Sequence, residues 1–183
     1  MKKIPLMILL SAAGISLSPF ALADGSKPTE PLTATANVKA NKAGKAEKAI
    51  HAMLDQWHND AARADRAYFD KLTENAVFIG TDPDERWTRA EFIKWSEPFF
   101  QRGKAWTFHV RQRHLKPDLS GKWAWFDEQL DTDLGLCQAS GVVVLTAKGW
   151  KIDHYQLSIS VRNELIEPLK KLTAELPAAK KTP

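Results

Sequence analysis

The chain has 183 residues, 44% hydrophobic and 26% charged, with 9 Gly, 10 Pro and 1 Cys, a balance that excludes two large domains, wholesale disorder, an internal disulfide framework and a Cys-rich metal site. The net charge is +4, yet residues 50–167 hold 15 Lys and Arg against 18 Asp and Glu, so the basicity sits in the ends and the body is mildly acidic. A nucleic-acid binder concentrates positive charge on its folded surface, and no nucleic-acid partner is expected.

Met1, Lys2 and Lys3 form a positive start, Ile4 to Phe20 is mostly apolar, and Ala21-Leu22-Ala23 ends the stretch. Basic start, apolar middle and an A-x-A site predict a secretory signal peptide over residues 1–23, cleaved after Ala23. The mature protein is expected to be periplasmic or secreted. The strongly apolar part is shorter than the ~20 residues a spanning helix needs, so no membrane span is expected after cleavage. Residues 24–44 are rich in Ala, Lys, Thr and Pro and lack aromatics. They read as a flexible linker, because so little apolar area does not offset the entropy of ordering. All 7 Trp fall between positions 57 and 150, which places the core there. Cys137 reads as a small buried apolar group.

In the body, Ile50, Met53, Leu54, Trp57 and Ala61 repeat at i, i+3, i+4, i+7 and i+11, the stripe of an amphipathic helix. Tyr68, Phe69 and Leu72 predict a second short helix that Asn75 breaks, and Ala76 to Ile79 a short strand ended by Gly80. Asp82-Pro83-Asp84 has turn chemistry. Thr88 and Glu91 form a capping box, Phe92, Trp95 and Phe99 follow at helical spacing, and Gly103 closes that helix. The period then changes to two. Trp106, Phe108 and Val110 alternate with polar residues, and Trp123–Leu130, Leu136–Ala147 and Trp150–Val161 read as three more long strands of an antiparallel meander. Leu165, Leu169, Leu172 and Leu176 predict a last helix.

This order of elements, with VFIGTDPDERW at 77–87, AWFDE at 124–128, SGVVV at 140–144 and GWKIDHYQLSISVRNEL at 149–165, resembles the SnoaL-like branch of the nuclear-transport-factor-2-like superfamily. The resemblance runs from about Ala46 to Leu165, so residues 45–165 are assigned to that domain and 166–183 to a C-terminal helix and tail. It implies an α+β, cone-shaped fold, with N-terminal helices packed on a strongly curved, mainly antiparallel sheet. It also implies a cavity between helices and sheet, and commonly a homodimer. It implies no reaction, since the superfamily holds isomerases, dehydratases and cyclases beside non-catalytic binding and assembly domains.

A cavity of this kind is expected to hold a few polar groups among aromatics. In the last strand Trp150, Ile152, His154, Gln156 and Ser158 share one face by the period of two, and Trp150 and Ile152 mark that face as inward. His154 would then be a general base or a donor to a carbonyl; its plainer role is a core imidazole satisfied by a backbone carbonyl or a carboxylate. Asp127 and Glu128 are adjacent on a strand, so one of them faces the core. Glu128 is preferred, because its face has no other polar residue, as an acid or base or as the ion-pair partner of Arg111 or Arg113. Asp65 is a third catalytic candidate or the cap of the second helix. Tyr68 could donate to a ligand carbonyl, with Trp106, Phe108 and Trp150 supplying apolar wall. His51, Asp55 and His58 have ligand-like spacing for zinc, but that flank reads as bordering solvent without a fourth group. Asp82, Asp84 and Glu85 do not match a calcium loop. No metal is expected. Without a G-x-S-x-G, a P-loop or a dinucleotide fingerprint, no cofactor is expected either. The leading expectation is an exported domain that binds a small, largely apolar molecule in an aromatic-lined cavity. The alternatives are an acid–base enzyme of isomerase, dehydratase or cyclase type, and a non-catalytic dimerisation or assembly module.

Overall fold

The computed structural model describes residues 32–175. The expected signal peptide 1–23, residues 24–31 of the expected linker and the tail beyond Glu175 lie outside the described residues. Helix α1 spans Leu32–Ala62 and lays Ile50, Leu54, Trp57 and Ala61 into the core, each at most 1% exposed. Residues 32–44, expected as linker, are therefore helical. Ala and Lys have high helix propensity, and extending a helix nucleated by the buried stripe costs far less than starting one.

Helix α2 is one turn, Ala67–Asp70, and strand β1 (Leu72–Ile79) begins earlier than the spacing suggested. Leu72 and Asn75 belong to the strand. Pairing decided it, since Leu72 aligns with Ile152 and the Ile152 N–H donates to the Lys71 carbonyl at 2.8 Å. Strand β2 is Arg86–Thr88, and α3 is Arg89–Gln101 behind the capping box formed by Thr88 and Glu91. Gly103, at φ +78°, takes the left-handed turn that ends it. Strands β3 (His109–Pro117), β4 (Trp123–Thr132), β5 (Gly135–Thr146) and β6 (Gly149–Ile159) form the meander. Trp106 and Phe108, expected inside the first long strand, lie in the segment that precedes β3.

The six strands form one sheet in the order β2-β1-β6-β5-β4-β3. The β1–β6 pair is parallel, and the other pairs are antiparallel. The helices pack on its inner face, over Ala124, Phe126, Leu130, Val143, Ile152, Tyr155 and Leu157. The ladder between β5 and β6 contains one irregularity with large consequences. Val142 pairs with His154 while its neighbour Val143 pairs with Ile152, so Asp153 is an extra residue, a β-bulge. The Thr73 hydroxyl on β1 donates to the Asp153 carboxylate at 2.6 Å and holds the bulge. After β6 a short 3-10 turn, Asn163–Leu165, leads into α4, Ile166–Glu175. Its Leu169 and Leu172 follow the predicted spacing and remain exposed. Among the described residues no helix is long and apolar enough to cross a membrane.

Candidate functional site

A cavity of about 350 Å³ opens between α3 and the sheet. Helix α3 contributes Phe92, Trp95 and Phe99, one stripe at i, i+3 and i+7, while β1 and β2 add Phe78 and Trp87. The segment before β3 adds Trp106 and Phe108, and Leu134 and Leu157 close the far side. The rings pack on each other. Phe78 stacks on Phe92 at 4.0 Å between centroids, Trp87 lies 4.6 Å from Trp95, and Trp95 lies 6.2 Å from Trp106. Trp95 is 39% exposed. The polar wall residues are Thr81, Glu85, Thr107, Thr132 and Asp133.

Trp106 and Phe108 thus lie on this wall. Tyr68 lies behind it, fully buried, with its ring edge-on to Trp106 at 5.5 Å. Its hydroxyl is buried and makes no well-aligned hydrogen bond among the described residues; burial pushes its pKa well above the usual 10, and the neighbouring Trp106 side chain offsets part of that rise. Tyr155 is in the same state, raised first by burial and then by the negative charge of Glu128.

The remaining candidates are placed elsewhere. His154, Gln156 and Ser158 face outward, because the bulge at Asp153 shifts the phase of β6. Ile152 points into the core before the bulge, and Tyr155 and Leu157 point there after it. Gln156 and Ser158 line a polar trough on the outer face, beside His114, Asp127 and Ser140. Trp150 lines a separate groove with Ala46, Ala49, Pro117 and Leu145. Asp65 is exposed and accepts the Ala67 N–H at 2.9 Å, which makes it a turn residue at the start of α2.

Glu128 faces inward and its side chain is 0% exposed, while Asp127 faces outward and accepts from His114 at 2.9 Å. Both oxygens of Glu128 are occupied. Arg113 Nε donates to one at 2.9 Å, and His58 Nε2 lies 2.7 Å from the other. Arg113 and His58 thus each engage one oxygen of the carboxylate. Arg113 Nη1 donates in turn to Asp55 at 2.7 Å and to the His51 carbonyl at 3.3 Å. The histidine flank of α1 therefore converges on a guanidinium. His58, expected at the solvent border, is only 5% exposed. Among the described residues no group of three or more His, Cys, Asp or Glu is placed to hold a metal ion. Sequence reasoning missed His58 as the partner of Glu128. It also read Phe92, Trp95 and Phe99 as a helix face without assigning that face to the cavity, although their spacing was the available signal.

A curved α+β sheet with helices on its inner face and an aromatic cavity beneath α3 defines a class of cone-shaped domains. The chain belongs to the SnoaL-like domain family, whose model matches residues 50–162. No curated protein matches the sequence. Among solved structures it is similar to a nuclear-transport-factor-2-like protein of unknown function from Pseudomonas putida, with TM-score 0.56, 13% identity, and 66% of this chain and 91% of that one covered. It is also similar to such a protein with a cystatin-like fold from Novosphingobium aromaticivorans (TM-score 0.57, 11% identity, 78% and 98% covered). A third, from the same organism, is described provisionally as a scytalone dehydratase (TM-score 0.55, 12% identity, 67% and 89% covered). At these identities the likeness is one of fold.

Proposed function

We propose that this protein binds a small, largely apolar molecule in the aromatic cavity. One observation carries the reading: a cavity of about 350 Å³ walled by seven Phe and Trp rings, in the size range and composition of small-molecule sites. Titration with the neutral fluorophore N-phenyl-1-naphthylamine tests it. Saturable binding at one site per chain, weakened in Trp95→Ala, is expected; no saturable binding in the folded protein refutes it. The mature protein is taken to act after export, with residues 1–23 removed, and N-terminal sequencing of the secreted form checks the cut after Ala23. It is taken to pair as a homodimer through the outer sheet face, where Trp123 and Trp125 are 43% and 42% exposed. A monomeric mass in solution would remove that element.

A second reading, an acid–base enzyme of isomerase or dehydratase type, is favoured by one contact. The His58–Glu128 pair is buried, and the His58 ring lies edge-on to the cavity residue Phe108 at 5.6 Å. A histidine oriented by a buried carboxylate is the arrangement of an oriented general base. Glu128 itself has no free oxygen for this role. Unchanged turnover of an identified substrate by His58→Ala would end that reading.

A further inference from the structure

We infer that the ligand of the aromatic cavity carries a positive charge, of the quaternary or alkylated ammonium class. This rests on reading the cavity as a ligand site and adds the charge. Three tryptophans line the cavity, Trp95 lying 4.6 Å from Trp87 and 6.2 Å from Trp106 between ring centroids. Trp is the side chain whose ring face attracts a cation most strongly, and several rings around one cavity form the cage that recognises alkylated ammonium groups. The charged residues on the wall are of one sign. Glu85 and Asp133 line the cavity, and no Lys, Arg or His lines it among the described residues. Glu85 accepts the Asp82 N–H through Oε2 at 3.1 Å, which anchors the carboxylate while Oε1 makes no hydrogen bond among the described residues.

A neutral apolar ligand gains nothing from two carboxylates at the wall, and a carboxylate ligand would be repelled by them. An ammonium group with methyl or methylene substituents satisfies both halves of the lining. Its carbons bury against the rings and its diffuse charge is balanced by Glu85 and Asp133. The chain also uses one wall ring in this way already. The Arg102 guanidinium lies 4.8 Å from the Phe99 centroid, with Arg102 itself outside the cavity lining.

The test uses a matched pair of probes, 3-hydroxyphenyltrimethylammonium and its uncharged isostere 3-tert-butylphenol, titrated against the tryptophan emission of the mature chain. The cation is expected to bind about tenfold more tightly than the isostere. Added salt should weaken the cation alone, and Glu85→Gln with Asp133→Asn should reduce the preference several-fold while leaving the neutral probe unchanged. Equal binding of the two probes overturns the cation assignment and leaves the apolar-cavity reading standing. Quenching by neither probe overturns both. An undiminished preference in the double variant overturns the role of the two carboxylates, and near-ultraviolet circular dichroism verifies that each variant is folded.

Discussion

Replacing Arg113 by Met tests how the buried charges of the domain are held. The Arg113 side chain is 5% exposed and donates to Glu128 Oε1, to Asp55 and to the His51 carbonyl. Met keeps most of the stem volume and removes the guanidinium. Glu128, with no solvent exposure, then retains His58 as its partner and loses its counter-charge. Removing one member of a buried ion pair costs about 3–5 kcal/mol, because the other is left uncompensated. Against a domain stability of about 5–15 kcal/mol, this is about a fifth or more of the total, and the Tm should fall by roughly 10–15 °C. Arg113→Met with Glu128→Leu removes both charges and should recover most of the loss, since an apolar pair of similar volume is often neutral in such a site. A residual cost of about 1–3 kcal/mol remains for the unpaired His58 Nε2. Urea unfolding followed by tryptophan emission reads both variants, with the midpoint shifted and the slope unchanged. A loss below about 1 kcal/mol in the single variant, or a double variant no more stable than the single, would refute the argument that an uncompensated buried charge dominates.

Two further outcomes follow from the same geometry. Tyr155→Phe deletes a buried hydroxyl without a partner among the described residues, so stability in urea should be unchanged or higher by up to about 1 kcal/mol; a clear loss would show that the hydroxyl is bonded. Asp118, half-buried in the turn between β3 and β4, is held down to about 2 by the Ser120 side chain and by the backbone N–H groups of Trp123, Ser120 and Lys122. Because its folded pKa lies below the ordinary value of 3.8, its stabilisation is complete above the ordinary value and is lost as pH falls through about 2. Asp118→Asn should remove that acid-range dependence, and a carboxyl titration by NMR that centres near the ordinary value would contradict the assignment.

The fold was legible where local pattern and tertiary demand agree. The α1 stripe, the Thr88–Glu91 capping box, the α3 face and the four-strand meander each follow from spacing alone, and the inward face of Glu128 follows from the apolar company of Ala124, Phe126 and Leu130. Three elements were not legible, each for its own reason. Leu72 has helical spacing from Tyr68, but its pairing with Ile152 is a contact 80 residues away in sequence. Residues 32–44 lack an apolar stripe in the sequence, and their helix is propagated from the packed half of α1. His154 failed as a cavity residue because a period of two holds only while the ladder is regular, and a bulge leaves no composition signal. The cavity itself was half legible. Trp106 and Phe108 were assignable as aromatic wall, whereas Trp87 and Trp95 needed the packing of β2 and α3 over the sheet.

The extra residue at Asp153 also constrains how this domain can diverge. The two halves of β6 are in opposite phase, so the hydrophobic code before it and the code after it are written in different reading frames of the same strand. Point substitutions on either side leave both frames intact. Deletion of this one residue would carry His154, Gln156 and Ser158 into the interior and expel Tyr155 and Leu157, so a lineage can lose the bulge only by gaining a residue elsewhere in the strand or by rewriting half of it at once. The strand is therefore free to vary at its outward positions and fixed in length.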